Sequence, residues 1–324
     1  MKRLIGLNVA AALAAALAVT AAAEARTRLS GSGATFPAPF YTRTFSDYYK
    51  QTKNQVNYQA TGSGSGIRQF FASTIDFGAT DAAVKDNNKH LNKEGGRQLV
   101  QIPIVGGAIV PAYNYDCELK ITQTQLADVY LGKITDWKDL GCKAGKILPV
   151  FRSDGSGTTA GFTNSLSAFS SEWKEKVGTA KAVNWPTGIG SKGNAGVAGS
   201  IKQTPGALGY VNQSFIKGTI VEAAIENKAG NFVKANAETS GSGLSKIQLD
   251  DKLRGADPNP DGENSYPIVS LTWILAEPGY KTESIKPMLK YMLGDEAQSK
   301  ADSLGYVPLP SELKKKALEA VESL

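Results

Sequence analysis

Arg152 and Asp154 are the two charged residues of FRSDGSGTTAGF (151–162), a stretch otherwise made of Ser, Gly, Thr, Ala and Phe. A guanidinium can grip an oxyanion through two parallel N–H bonds, and a nearby carboxylate can fix its orientation. Glycine lets a backbone turn through positive φ and lets a ligand come close, while Ser and Thr add hydroxyl donors. Together these residue types suit the holding of an anion. Similar small-residue runs occur as SGSGAT at 30–35, TGSGSG at 61–66 and SGSG at 240–243.

The elements around these runs decide whether they are linkers or shaped backbone. Apolar residues spaced by three and four predict helices through Tyr41, Phe45 and Tyr48, through Ile67, Phe70, Phe71 and Thr74, and through Phe162, Leu166, Phe169 and Trp173. Later helices are expected over 286–293 and 313–321. Short apolar or β-branched segments predict strands at 56–59, 77–79, 101–113, 147–151, 207–211 and 268–275. This alternation reads as an α/β protein. The runs at 30–35, 61–66 and 153–159 each precede a helix, whose first amides lack intrahelical acceptors and carry partial positive charge. Thr35 is read as an N-cap, with Pro37 in the first helical turn. Asp81 lies just past a strand end, a position where aspartate ordinarily turns or caps the chain. The run 240–243 has no arginine beside it and reads as a loop.

Several catalytic chemistries find no parts here. The chain has no G-x-x-x-x-G-K-[ST] phosphate loop and no G-x-S-x-G nucleophile elbow. GSGTTA at 155–160 fits a loose dinucleotide fingerprint, but that lone match sits mid-chain in an exported protein. His90, the single histidine, lies in the polar stretch DNNKH (86–90), which reads as a solvated loop or helix face. A Ser-His-Asp triad would have to depend on it, and a metal site built on a histidine cluster is excluded. The expectation is binding without catalysis and without a cofactor or metal.

At the N-terminus, Lys2 and Arg3 precede an apolar stretch and then small residues, the pattern of a signal peptide over residues 1–25. The apolar stretch is shorter than the roughly 20 residues that span a bilayer, so export to a periplasm is expected, in diffusible form. The whole chain carries 36 basic and 30 acidic side chains; loss of Lys2, Arg3 and Glu24 with the leader would leave a net charge of +5. The charges are mixed, with no basic face for nucleic acid. The two cysteines, Cys117 and Cys142, lie in the exported part, so a disulfide is the plain expectation and two buried thiols the alternative.

Nine segments carry a resemblance to a known family: GATFPAP (33–39), VNYQ (56–59) with its following turn, DFGATD (76–81), IVGG (104–107), YLGKI (130–134), RSDGSGT (152–158), NWP (184–186), KGN (192–194) and PGALGYV (205–211). In this order, over nearly the whole mature chain, they resemble the periplasmic phosphate-binding proteins of bacterial ABC transporters. The resemblance implies two α/β lobes joined by a two-strand hinge, with phosphate held between them. Its crossings near 111–113 and 266–268 would give one lobe from 26–111 plus 267–324 and the other from 112–266. It places Thr35, Phe36, Ser63 and Asp81 on the first lobe against phosphate. On the second it places Arg152, Ser156, Gly157 and Thr158, with Asp154 orienting Arg152. The second run departs from the family's usual Gly-Ser-Ser-Gly-Gly, reading GSGSG at 62–66, which leaves Ser63 in place and the part of Ser65 open.

The resemblance also implies an ABC permease as partner; a monomer is expected, and the mixed charges predict no nucleic-acid ligand. An ionised Asp81 would accept a proton-borne hydrogen bond from monohydrogen phosphate and repel sulfate, which has none to give. Alternatives of other kinds are an exported phosphatase of the same fold, a binding protein for another tetrahedral oxyanion such as arsenate, and an adhesion module.

Overall fold

The structure is a computed structural model that describes residues 27–91 and 96–324. The expected leader at 1–25 lies outside the described residues. Twelve strands are present among them: β1 Arg28–Gly33, β2 Gln55–Ala60, β3 Phe77–Thr80, β4 Val100–Tyr113, β5 Lys120–Ile121 and β6 Leu148–Arg152, followed by β7 Ile189–Ser191, β8 Ala207–Asn212, β9 Val221–Glu222, β10 Ala224–Glu226, β11 Phe232–Val233 and β12 Val269–Ala276. The main sheet runs in the order β2-β1-β3-β12-β4-β8-β6-β7, with β9 on β4 and a separate small sheet β11-β10-β5.

Strand β4 is the spine. Its sequence VQIPIVGGAIVPAY is buried at every position after Val100, as expected of a strand covered on both faces. Residues Val100 to Ala108 pair with β12, and residues Ile109 to Tyr113 pair with β8. One strand therefore serves two half-sheets, and each half-sheet carries its own helices, giving the α/β two-lobe architecture. Pro103 would interrupt an interior ladder, because it has no N–H to give. It is accommodated where the β12 register shifts between Thr272 and Trp273.

Each lobe has an aromatic centre. In the first, the helix Ala38–Thr52 buries Phe40, Tyr41, Phe45 and Tyr48, and Tyr41 meets Tyr58 edge-on at 5.1 Å. In the second, Phe162 stacks on Tyr210 at 4.1 Å, with Tyr130 and Trp185 around the pair. Cys117 and Cys142 form a disulfide with a Cα–Cα distance of 5.7 Å, closing a loop around Trp137. In the chain-entropy account a loop of this length contributes roughly 3 kcal/mol.

The expected strands are present, within a residue or two at their ends. The small-residue runs depart from expectation in three places. Ser30 to Gly33 are not part of a turn but the end of β1, a strand paired on both sides with β2 and β3. Gly31 is required there because a Cβ would lie 2.1 Å from the Phe77 ring. Thr35 is not an N-cap: the helix begins at Ala38 after Pro37, without a side-chain cap. The Thr35 hydroxyl faces the other lobe instead. The run 240–243 is not a loop, since it lies in the helix Ala237–Leu244, which opens with a reciprocal capping box between Asn236 and Thr239. Gly243 allows that helix to press against the chain, because a Cβ would come within 2.5 Å of the Tyr266 carbonyl oxygen.

Two helix ends also shift. The helix expected around Ile67 begins earlier, at Ser63, and Thr74 falls beyond it. Trp173 belongs to the short helix Ser171–Lys176, separated from Gly157–Phe169 by Ser170. His90 lies in a turn with its ring stacked on Phe71 at 5.7 Å.

Candidate functional site

Four chain segments meet where the two half-sheets face each other. From the first half-sheet come the turn after β1 with Thr35 and Phe36, the helix start at Ser63, and Asp81 just past β3. From the second come Arg152 at the end of β6 and the start of the helix Gly157–Phe169. The backbone amides of Ser63, Gly157 and Thr158 are first-turn amides with no intrahelical acceptor. Ser156 is the N-cap of its helix, its hydroxyl accepting from the Thr159 amide at 3.0 Å, which leaves its proton to donate.

The two halves touch directly. The Gly64 amide donates to the Gly155 carbonyl at 2.7 Å. Thr158 Oγ1 lies 3.4 Å from Asp81 Oδ2, and a Cβ on Gly157 would stand 2.6 Å from Ser63 Oγ and 2.7 Å from Asp81 Cβ. Gly62, at φ 100°, takes a backbone shape that favours glycine, and a Cβ there would meet Asp154 Oδ2 at 2.2 Å. The glycines of this site are spaces for the opposite lobe.

The charged groups are buried and oriented. Arg152 donates to Asp154 through Nε at 2.7 Å and Nη2 at 2.5 Å, a bidentate pair that holds the guanidinium in one plane. The side chain of Arg152 is 1% exposed. Its Nη1 reaches Thr158 Oγ1 at 3.4 Å, so the fork opens toward the inter-lobe space. Asp154 also accepts from the Gly193 amide at 3.0 Å. Burial pushes its pKa up, but the bonds and charge of Arg152 with the Gly193 amide outweigh burial and hold it below the usual carboxylate range.

Asp81 has the opposite balance. It is buried, and burial pushes its pKa up to about 7 against the lowering effects of Thr272, Arg152, Ser63 and Thr158. Thr272 Oγ1 donates to Oδ1 at 2.9 Å, while Ser63 Oγ and Thr158 Oγ1 approach Oδ2 at 3.4 Å. A group with these surroundings accepts bonds when ionised and can donate one when protonated. A surface cleft of about 740 Å³, bordered by Asp81, Lys85, Asn164 and Thr179, opens beside it.

All eight expected contact residues and Asp154 therefore lie in or beside one inter-lobe space. Three neighbours were not singled out by the sequence. Thr272 on β12 supports Asp81, Tyr210 accepts from the Arg152 amide at 3.1 Å, and Asn194 spans both lobes. Asn194 and Tyr210 had a signal, lying in the KGN and PGALGYV segments, whereas Thr272 had none. Among the described residues no cluster of His, Cys, Asp and Glu could hold a metal ion, and no helix is long and apolar enough to cross a membrane.

Comparison with known proteins agrees with this architecture. A family model described as a PBP superfamily domain matches residues 18–296. A protein of Pasteurella multocida named Phosphate-binding protein PstS is 40% identical over 306 residues, covering 88% of this chain and 87% of its own length. The chain belongs to the PBP superfamily and, within it, to the family of the phosphate-binding proteins PstS. Two solved structures share the fold. A phosphate binding protein from Stenotrophomonas maltophilia matches with a TM-score of 0.68 at 19% identity, over 90% of this chain and 93% of that one. An ABC-type phosphate transport receptor from Vibrio cholerae matches with a TM-score of 0.58 at 17% identity, over 87% of this chain and all of that one.

Proposed function

We propose that this protein binds inorganic phosphate between its lobes, outside the cytoplasmic membrane, and presents it to an ABC permease for uptake, without performing catalysis. The observation that carries the reading is the pairing of Arg152, held flat by Asp154, with a single buried carboxylate, Asp81, in a space otherwise lined by donors. The hydroxyls of Thr35, Ser63, Ser156 and Thr158 and the amides of Phe36, Ser63, Gly157 and Thr158 would satisfy oxyanion oxygens. Asp81 would take the proton that monohydrogen phosphate offers and sulfate lacks.

The names of the 40%-identical relative and of the Vibrio cholerae receptor support phosphate and ABC transport as the setting. We take the lobes as 26–111 with 267–324, and 112–266. The change of partner along β4 between Ala108 and Ile109 supports a crossing in that strand, and the short link from Tyr266 to β12 supports the second. The protein would act as a monomer, released into the periplasm after removal of residues 1–25.

A thermal-shift panel with phosphate, arsenate, sulfate and molybdate tests the reading, because a ligand that binds the folded form alone raises the melting temperature. Phosphate and arsenate should stabilise the protein and sulfate should not, whereas Asp81→Asn should gain a response to sulfate. A response to sulfate or molybdate without one to phosphate would overturn it. Release of phosphate from an aryl phosphate would establish the phosphatase alternative.

A further inference from the structure

Asn194 joins the lobes through one buried side chain. It stands in the first turn of the helix Gly193–Gln203. Its Oδ1 accepts the Asn212 amide at 2.9 Å, which settles which end of the side-chain amide is nitrogen. Nδ2 then donates to Thr35 Oγ1 at 2.9 Å and to Thr158 Oγ1 at 3.1 Å. The backbone amide of Asn194 donates to Thr35 Oγ1 as well, at 3.1 Å. Gly193 makes the approach possible: at φ 71° it sits in the left-handed region, and a Cβ would lie 3.3 Å from Thr35 Cγ2.

A threonine hydroxyl has two acceptor lone pairs and one proton. At Thr35 both lone pairs are taken by Asn194, so the proton is left to donate elsewhere. At Thr158 they are taken by Asn194 Nδ2 and Arg152 Nη1, which leaves the proton to donate, to Asp81 Oδ2 at 3.4 Å or to an oxyanion oxygen beside it. An oxyanion needs protons from its neighbours, and a freely turning hydroxyl presents oxygen as readily as hydrogen. The same side chain thus faces two hydroxyls of the site, one from each lobe.

We propose that Asn194 is a positioning residue that fixes the Thr35 and Thr158 hydroxyls as donors to the bound oxyanion, and that it does so at Thr35 only when the lobes are closed. The inference rests on the phosphate reading and adds a specific link between closure and ligand polarity. Asn194 also connects to the spine, because Asn212 donates through Nδ2 to the Ala108 carbonyl at 3.1 Å, where β4 changes partner. Thr35, Asn194, Asn212 and β4 form one continuous hydrogen-bonded line from the ligand space to the crossing strand.

Calorimetric titration with phosphate of the wild type, Asn194→Ala, Thr35→Val and the double variant tests this. Loss of one hydrogen bond to a charged ligand predicts about tenfold weaker binding or more for each single variant. Because Thr35 donates productively only while Asn194 holds it, the double variant should bind about as weakly as Asn194→Ala alone. Thr35→Ser, which keeps the hydroxyl, should bind like the wild type and remain sensitive to Asn194→Ala. Should Asn194→Ala not fold, Asn194→Ser, which removes the side-chain amide donor without adding a charge beside the anion, carries the same comparison. Wild-type affinity in the Asn194 variant, or losses that multiply in the double variant, would overturn the inference while leaving phosphate binding intact. Absence of phosphate binding by the wild type would instead overturn the phosphate reading, and this inference with it.

Discussion

Asp81 and Asp154 share a residue type and a cleft, yet their surroundings drive them apart. Asp154 keeps a bidentate guanidinium and an amide, which outweigh its burial, while Asp81 is served mainly by hydroxyls and is pushed up to about 7. The sign of the consequence follows from proton counts. Between about pH 4 and about 7 the folded protein holds a proton on Asp81 that the unfolded chain has released, so stability from this group is full at low pH and lost as pH rises through about 7. Asp81→Asn removes the titration without changing shape. The stability difference, variant minus wild type, should therefore grow with pH at up to about 1.4 kcal/mol per unit across that window and flatten above it. Denaturant melts of the ligand-free proteins at pH 5, 6, 7 and 8 measure it. A difference independent of pH would show that Asp81 is not held up by burial. Both roles of this residue were open to the sequence only as far as its place after a strand; the supporting Thr272 lies 191 residues away and no local pattern announces it.

At the scale of elements, the small-residue runs do three different jobs under one composition. SGSG at 30–33 is a crowded central strand, GSG at 62–64 and 155–157 are helix entrances facing each other, and SGSG at 240–243 is a helix pressed on backbone. Turn-forming composition pointed to a loop for the last, because glycine lowers helix propensity and local reading cannot see that Tyr266 leaves no room for a side chain. The capping pair Asn236 and Thr239 was the signal that outweighed composition. The strands were legible because continuous apolar runs are a local property, whereas Thr35 lost its capping role to a partner from the other lobe. The facing entrances carry their own prediction. Gly157→Ala would place a methyl 2.6 Å from Ser63 Oγ and 2.7 Å from Asp81 Cβ, both on the opposite lobe. Gly157 is the first residue of its helix and is not among the positive-φ glycines, so alanine fits the second lobe's own backbone without strain. The expected result is phosphate affinity reduced by about a hundredfold or more, as befits a clash of a few kcal/mol on closure, with the ligand-free melting temperature nearly unchanged. Titration and melting of one preparation separate the two effects, and undiminished affinity would mean that the entrances do not meet around the ligand.

For the whole molecule, the contacts between the lobes at the site are few and polar: Gly64 to Gly155, Asn194 to Thr35, and Thr158 to Asp81. These bonds are buried in the closed form but are exchanged for bonds to water when the lobes part, so each is worth a net of only about 1 kcal/mol. So few of them are a small counterweight to the freedom recovered when two lobes swing on two strands. This balance places the ligand-free equilibrium on the open side. A dianion that spans the two sets of donors would reverse it, because it binds the closed form better and can shift the equilibrium by no more than that difference in affinity. Small-angle X-ray scattering at pH 8 should therefore show a smaller radius of gyration with saturating phosphate than without it, and Arg152→Ala should reduce the contraction at equal phosphate concentration. An unchanged radius in the wild type, under conditions where calorimetry shows binding, would mean that phosphate enters a cleft already closed and that closure cannot be what a permease reads.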